Sequence, residues 1–195
     1  MSKSINPSSI NLEGLSRYLA DHNIPIETWG TGSAKTLDHL LNEIKGKECK
    51  LIEVDGELIR TIYVVSAEIY YMDTFGAFKL KEERQVFKGG RSRTRSLESS
   101  LSEKIKADEI PIDGIIRGIS EELGITVSPD QVREITKFNE SRRSNSFPGL
   151  STVYYGTRFS CKLNRNQYKP NGYIEVQKDK TVYFVWEKTN KKGLE

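Results

Sequence analysis

The segment 111–124 constrains the fold of this chain more than any other stretch of its sequence. At about 100° per residue, its apolar side chains fall on one helical arc about 100° wide; they are Ile112, Ile115, Ile116, Ile119 and Leu123. Pro111 suits the first turn of a helix, and Gly124 suits a C-cap just beyond the last apolar position. The segment is therefore predicted to form a helix that buries its isoleucine face.

Runs with a β-type pattern precede and follow this helix. Before it, a hairpin with a tight turn is predicted at Asp55-Gly56, and β-branched and aromatic runs predict strands at 51–54, 61–71 and 78–87. After it, strands are predicted at 131–139, 152–163 and 181–188. Strands on both sides of one amphipathic helix indicate an α/β fold, in which a mixed β-sheet is covered by helices.

The first 48 residues differ from the rest, because leucines recur at helical spacing in residues 12–19 and 37–44. We predict an N-terminal helical extension over residues 1–48 and a second domain over residues 49–195. The stretch 30–36 contains two glycines and Lys35, but no glycine directly precedes that lysine. It is therefore predicted to be a loop and helix N-cap rather than a phosphate-binding loop.

Composition narrows the class of protein. The chain has 195 residues, of which 36% are hydrophobic and 29% charged, and this mixture excludes disorder. Its two cysteines are too few for a disulfide framework and favour a cytoplasmic location. Residues 1–9 carry no apolar stretch of the kind a secretory signal needs, and no membrane partner is expected. A net charge of +3 argues against nucleic acid as the main partner.

The polar face of the predicted helix carries candidate chemistry. On a helical wheel, Glu121 and Glu122 lie about 60° and 40° on either side of Gly118. Arg117 precedes Glu121 by four residues and can pair with it along the helix. Adjacent carboxylates on a rigid helix suit hard cations such as Mg²⁺, which take oxygen ligands and share them with phosphates.

Residues 102–125 closely resemble the Nudix box, the signature of the MutT-like hydrolases. That pattern is Gly, five residues, Glu, seven residues, and then Arg-Glu-U-x-Glu-Glu-x-Gly-U, where U is apolar. Seven positions of this chain fall in register with it: Glu109, Arg117, Ile119, Glu121, Glu122, Gly124 and Ile125. The match covers 24 residues and has specific spacing.

The resemblance implies a Nudix-like α/β/α sandwich with a mixed sheet. It also implies hydrolysis of a nucleoside diphosphate linked to another group, with Mg²⁺ or Mn²⁺ as the cofactor. Carried over by position, Glu121 and Glu122 would be metal ligands and catalytic residues. Arg117 would orient a glutamate by pairing, and Glu109 would brace the loop before the helix.

Two positions depart from the family's pattern. The glycine that opens the box is Glu103 here, and the glutamate after the arginine is Gly118. In the family that glutamate is a metal ligand or the base that activates water. Glu103 is a candidate to replace it, because the family places this position near the metal. Among later acids, Glu140, Glu175 and Glu187, we select Glu175 as a second candidate, because it follows the Asn171-Gly172 turn.

Two further segments are candidates for binding. Arg142 and Arg143 could meet phosphate oxygens bidentately, and aromatic residues nearby could stack a base, namely Phe147, Tyr154 and Tyr155. The alternative is an ordinary Pro-Gly loop leading into a half-buried strand. The basic segment 88–96 is predicted to be a solvated connector or a clamp for an anionic ligand.

The function that follows is metal-dependent hydrolysis of a phosphoanhydride in a nucleoside-diphosphate-linked substrate. The alternative is a non-catalytic Nudix-fold module that binds a nucleotide-like ligand, an interpretation that Gly118 favours. A helix-mediated interaction protein is a third interpretation, which rests only on residues 10–45. The expected partner is a nucleotide-derived small molecule, and a homodimer is left open.

Overall fold

The computed structural model describes residues 10–95 and 97–190. Residues 1–9, in which no secretory signal is expected, and Ser96 of the basic segment lie outside this range. The described chain contains three α-helices: α1 (Leu12–Asp21), α2 (Leu37–Lys45) and α3 (Pro111–Leu123). Short 3-10 helices lie at Ile26–Thr28 and Pro129–Gln131. No helix in the described chain is long and apolar enough to span a membrane.

Nine strands follow in chain order: β1 (Lys50–Val54), β2 (Glu57–Asp73), β3 (Gly76–Phe87), β4 (Ser92–Arg93), β5 (Leu101–Ile105), β6 (Val132–Arg143), β7 (Ser151–Lys162), β8 (Tyr173–Val176) and β9 (Lys180–Thr189). Hydrogen bonds join them into a sheet with the order β6-β7-β2-β3-β9-β8, to which β1 and β5 add by pairing with β2, and β4 by pairing with β3. The predicted α/β class, a mixed sheet with helices that include an N-terminal pair, is confirmed.

The hairpin predicted at Asp55-Gly56 is present. β1 pairs antiparallel with β2, from Val54 opposite Glu57 to Lys50 opposite Thr61. Both turn residues have positive φ, 51° at Asp55 and 83° at Gly56, which is what a two-residue type I′ turn requires. This turn starts a strand of 17 residues, longer than the segment predicted at 61–71.

The chain divides into two compact units. Unit 1 comprises Met1–Val64, Lys104–Glu109 and Phe138–Gly156, and unit 2 comprises Val65–Glu103, Ile110–Lys137 and Thr157–Glu195. Four strands contribute residues to both units: β2, β5, β6 and β7. The boundary predicted at residue 48 stays a prediction.

Unit 1 is built around the two N-terminal helices. Leucines from α1 and α2, predicted from their helical spacing, are buried together with side chains of the β1–β2 hairpin and of the loop before β7; the buried set includes Leu15, Leu19, Leu40, Leu41, Ile44, Leu51, Leu58, Phe147 and Leu150. The indole Nε1 of Trp29 donates to the carbonyl of Pro148 at 2.9 Å. The N-terminal helices therefore share one core with later parts of the chain.

A compensated charge lies in the same unit. Glu43 on α2 is only 6% exposed. Its carboxylate accepts a hydrogen bond from Lys35 at 2.7 Å and another from buried Arg60, and Lys104 lies 3.6 Å away. Burial alone would raise the pKa of Glu43, but the bond from Lys35 and the charge and bond of Arg60 outweigh it and lower the pKa to about 2.

Unit 2 is built on long antiparallel pairing. β3 pairs with β9 over almost its whole length, and β8 pairs with β9. Because directly paired residues point to the same face of a sheet, Glu82 and Tyr173, both opposite Phe184, share a face with Glu175, which lies opposite Val182. Two carboxylates from different strands therefore lie on one face of unit 2.

Candidate functional site

The predicted helix is present as α3 and forms one wall of the candidate site. It begins at Pro111 and ends at Leu123, and Gly124 caps it in the left-handed conformation with φ 64°. Its buried face consists of Gly114, Ile115, Gly118, Ile119 and Leu123. The two end signals predicted its bounds to within one residue. The buried face differs from the predicted arc, because Ile112 and Ile116 are only half-buried and Gly118, predicted on the polar face, is buried.

Gly118 lies against Glu103. A Cβ added to Gly118 would be 3.3 Å from the Cβ of Glu103 and 3.4 Å from its Cγ, tighter than an ordinary van der Waals contact. The glycine lies on the buried face of α3, and Glu103 belongs to β5. The two positions at which the chain departs from the Nudix pattern are therefore direct neighbours in the fold.

Arg117 connects two of the candidate acids. Its Nη1 donates to Oε2 of Glu121 at 3.1 Å, the pairing predicted from their spacing of four residues. The same Nη1 lies 3.8 Å from Oε1 of Glu103. Glu121 is exposed, whereas Glu103 is half-buried. Arg117 thus holds a glutamate of the helix and one of the neighbouring strand with the same guanidinium.

Glu122 is the electrostatic centre of the site. Burial raises the pKa of its carboxyl, and the charges of Glu175, Glu103 and Glu82 raise it further, to about 8. The positive charge of Arg95 acts in the opposite direction and lowers the pKa of Glu122. Acids from β3, β5 and β8 therefore act on the carboxyl group of Glu122 on α3, which ionises only at a cost in this environment.

Glu82 and Arg95 were not predicted as site residues. Glu82 is 2% exposed, and its two carboxylate oxygens accept from Arg95, Oε1 from Nε at 2.9 Å and Oε2 from Nη2. One signal in the sequence could have identified Glu82. It follows Phe78 and Leu80 at strand spacing, so an acid occupies a position of the apolar face.

Glu175 belongs to a short edge strand, β8, that the sequence pattern did not predict. Its Oε1 accepts from Nε2 of Gln177 at 2.8 Å. The strand follows Gly172, which has φ 77°, and a Cβ added there would lie 1.8 Å from the carbonyl oxygen of Phe184. Only glycine permits this approach, so Gly172 determines how the strand that carries Glu175 begins.

The other late acids are placed differently. Glu187 lies opposite Lys79 in the β3–β9 ladder and 3.6 Å from Lys81. It is odd-numbered on β9, so it faces away from Val182 and Phe184 and from the face that carries Glu82. Glu140 belongs to unit 1 and lies 3.5 Å from Arg142.

The predicted binding residues of unit 1 do not form one surface. Phe147 is 0% exposed and packs on Trp29 with ring centroids 5.1 Å apart, so the structure assigns it to the core rather than to a base-stacking surface. Arg142 and Arg143 end strand β6 instead of lying in a loop. Arg142 stacks on Tyr154 at 4.4 Å, whereas Arg143 lines a pocket of about 350 Å³ within unit 1.

Glu109 and Tyr155, also predicted from the sequence, each contact a residue of unit 1. The Oε2 of Glu109 accepts from the backbone N–H of Lys106 at 3.1 Å, a bond within the loop that precedes α3. Tyr155 stacks on Tyr63 with ring centroids 5.6 Å apart. Both contacts lie in unit 1.

The donor set of unit 2 suits a hard cation, because carboxylate oxygens are the ligands that Mg²⁺ and Mn²⁺ take. Burial and then the repulsion of the other acids raise the pKa of Glu122, and a divalent cation would relieve that repulsion. In residues 10–95 and 97–190, however, no group of three His, Cys, Asp or Glu side chains is arranged so that it could hold a metal ion.

No family model matches this chain, and no curated protein matches it. Among solved structures, it is 15% identical to a MutT/nudix family protein from Enterococcus faecalis, over 67% of this chain and 45% of that one, with a TM-score of 0.43. It is 11% identical to a C. elegans Ap4A hydrolase in a binary complex, over 65% and 79% of the two chains, with a TM-score of 0.38. With the NUDIX domain of Shewanella oneidensis NrtR, complexed with ADP ribose, it shares 12% identity over 66% and 73%, with a TM-score of 0.37. The solved proteins to which this chain is similar therefore include Nudix and MutT proteins, the family whose box residues 102–125 resemble.

Proposed function

We propose that this chain is a Nudix-type, metal-dependent hydrolase that cleaves a phosphoanhydride in a nucleoside-diphosphate-linked substrate. The observation that carries the proposal is the convergence of acids from three strands, β3, β5 and β8, on Glu122 of α3. A partly buried carboxyl surrounded by other acids gains nothing for folding, and such groups are typical of sites that bind or transform a ligand.

The missing box glutamate supports the same proposal. The family's pattern has glycine at position 103 and glutamate at position 118, and this chain has the two exchanged. Since Gly118 lies against the Cβ and Cγ of Glu103, the strand glutamate occupies the space beside the helix at the position that lacks one. We infer that the carboxylate has been transposed from α3 to β5 and that the site keeps its acidic character.

Glu122 and Glu121 are the proposed metal ligands, and Glu103 and Glu175 supply the further carboxylates. A bound Mg²⁺ or Mn²⁺ supplies Lewis-acid polarisation of phosphoryl oxygens and lowers the pKa of a bound water. Arg117, bonded to Glu121 and close to Glu103, orients both acids and balances part of their charge.

A second candidate function is a binding module that recognises a nucleotide-like ligand without cleaving it. Gly118 is the observation that favours it, because the helix itself lacks the glutamate that the family uses as ligand or base. A turnover screen of nucleoside diphosphate derivatives with Mg²⁺ and with Mn²⁺ separates the two candidates. Hydrolysis that stops when EDTA is added supports the enzyme, and ligand binding without turnover supports the module.

Transposition is tested by exchanging the two residues. We expect Glu103→Gly to weaken Mn²⁺ binding, measured by calorimetry, by about tenfold or more, because one ligand charge is lost. The double variant Glu103→Gly/Gly118→Glu should recover affinity to within about threefold of wild type, because the carboxylate returns from the helix side. Glu187→Gln removes an acid from the opposite face and is the matched control. A double variant as weak as Glu103→Gly would contradict transposition.

A further inference from the structure

We propose that Arg95 binds a phosphoryl oxygen of the anion that enters the carboxylate site of unit 2. This inference deepens the proposed function and rests on it for the identity of the site, but not for the geometry of the arginine. Arg95 lies outside residues 102–125, in the basic segment 88–96 that was predicted to be either a solvated connector or an anion clamp.

The arginine is anchored on one edge and exposed on the other. The Nε and Nη2 of Arg95 donate hydrogen bonds to the two carboxylate oxygens of Glu82. This is the bidentate pairing that fits a guanidinium to a carboxylate. Glu82 is almost fully buried, whereas the Arg95 side chain is 36% exposed. Of the five N–H donors of a guanidinium, those on Nη1 take no hydrogen bond among the described residues. The two bonds fix the plane of the guanidinium and leave the donors on Nη1 for a ligand.

The charge of Arg95 acts on the same site as the acids. Its partner Glu82 shares a face of the sheet with Glu175, so the guanidinium is held at the face that carries these acids. An anion that enters this face meets the repulsion of Glu82 and Glu175, so it needs a fixed cation beside them. Arg95 supplies that cation, and its planar fork matches the tetrahedral oxygens of a phosphoryl group.

The preceding residues hold Arg95 in place. Segment 88–96 was predicted to be either a solvated connector or an anion clamp, and our proposal takes the second alternative. β4 pairs with β3, with Arg93 opposite Gln85, and the backbone N–H of Phe87 donates to the carbonyl of Arg91 at 2.9 Å. The Arg91 guanidinium lies over the Phe87 ring at 4.8 Å. Arg91 and Arg93 are exposed and add positive potential beside Arg95.

The test measures binding of inorganic pyrophosphate by calorimetry in EDTA, so that no metal contributes. We expect Arg95→Gln to weaken pyrophosphate binding by about tenfold or more, because a charge-assisted bond is lost. Arg95→Lys should be intermediate, because the charge remains without the fork. Arg84→Gln is the matched control. Arg84 also pairs with a glutamate, Glu83, and it lies opposite Tyr183 on the other face of the sheet.

Two features keep the test decisive. Arg95→Gln alone leaves buried Glu82 unpaired, so the double variant Glu82→Gln/Arg95→Gln, which removes both charges, must show the same loss of pyrophosphate binding. Mn²⁺ binding should be unchanged or tighter in Arg95→Gln, since a positive charge beside the acids is removed. Wild-type protein that binds no pyrophosphate, or variants that bind it as well as wild type, would overturn the inference. Unchanged Mn²⁺ affinity in Glu122→Gln would instead contradict the proposed metal site and leave the role of Arg95 intact.

Discussion

Each compact unit contains a glutamate that is at least partly buried, but the pKa values of the two carboxyl groups are shifted in opposite directions. In unit 1, Glu43 has three cationic neighbours, and they lower its pKa to about 2 despite burial. In unit 2, burial raises the pKa of Glu122, and the charges of Glu175, Glu103 and Glu82 raise it further against that of Arg95, to about 8. One carboxylate is compensated by the protein's own cations, and the other is left for something else to compensate.

The difference separates a structural ion cluster from a binding site. A buried charge that is fully paired holds parts of a fold together, and breaking the pair is costly. Acids crowded around one another destabilise the fold on their own, and they are stabilised by a ligand of opposite charge. We therefore expect charge neutralisation to weaken unit 1 and to strengthen the ligand-free form of unit 2.

The largest expected effect comes from breaking the compensated cluster. Arg60→Met removes the cation that is 3% exposed beside Glu43, and it should lower the free energy of unfolding by about 3 kcal/mol or more. Urea denaturation measures the loss. Arg17→Met, which breaks an exposed pair with Glu13, is the control and should cost less than about 0.5 kcal/mol. Equal losses in the two variants would show that the cluster is not structural.

The uncompensated carboxyl should respond to pH with the opposite sign. The folded-state pKa of Glu122, about 8, lies above its ordinary value of 4.5, so the folded protein loses stability as pH rises from 4.5 through 8. Glu122→Gln has no proton to release. In EDTA it should match wild type near pH 4.5 and melt about 4 °C or more above it at pH 9. Added Mn²⁺ should stabilise wild type and reduce that gap.

Glu43→Gln provides the matched comparison for this pH experiment. The folded-state pKa of Glu43 lies below 4.5, so its carboxylate contributes stability above pH 4.5, and that contribution is lost as pH falls towards 2. The variant should melt below wild type at pH 7, and the difference should shrink in acid. If the two glutamine variants deviate from wild type in the same direction at pH 9, the contrast between the units is wrong.

The smallest expected effect concerns Gly118. Alanine improves helix propensity by up to about 1 kcal/mol over glycine, but its Cβ would press on Glu103. In the wild-type background these contributions should cancel to within about 0.5 kcal/mol. In a Glu103→Gly background the contact is gone, and Gly118→Ala should stabilise the protein by about 1 kcal/mol. A double-mutant cycle by urea denaturation isolates the coupling, and a coupling of zero would contradict the contact.

The sequence predicted those helices and turns whose formation depends on residues close together in the chain. The α3 helix, with its apolar arc and its Gly124 cap, and the hairpin turn at Asp55-Gly56 were predicted closely, because period and turn chemistry are local. β8 was not predicted, because four residues are too few to show an alternating pattern. β6 runs on through Arg142 and Arg143, because an exposed strand has no apolar alternation to mark its end.

The candidate site was predictable only in part. The box positions Arg117, Glu121 and Glu122 follow from spacing along one helix. Glu82 and Arg95 meet across 13 residues of sequence, and no local pattern signals such a pair. Phe147 was predicted at a ligand surface because aromatic residues suit that role, but its burial depends on packing against α1, α2 and Trp29, which periodicity in its own segment does not report.

The contact between Gly118 and Glu103 also restricts the order in which such an exchange of residues can arise by single substitutions. A chain that first lost the helix glutamate would pass through a form with glycine at both positions and no carboxylate at either. A chain that first gained the strand glutamate would carry both acids, with the Cβ of residue 118 at 3.3 Å from the Cβ of Glu103. The second route keeps an acid present at every step. An ancestral protein with glutamates at both positions is therefore the expected intermediate, and its reconstruction by Gly118→Glu should fold.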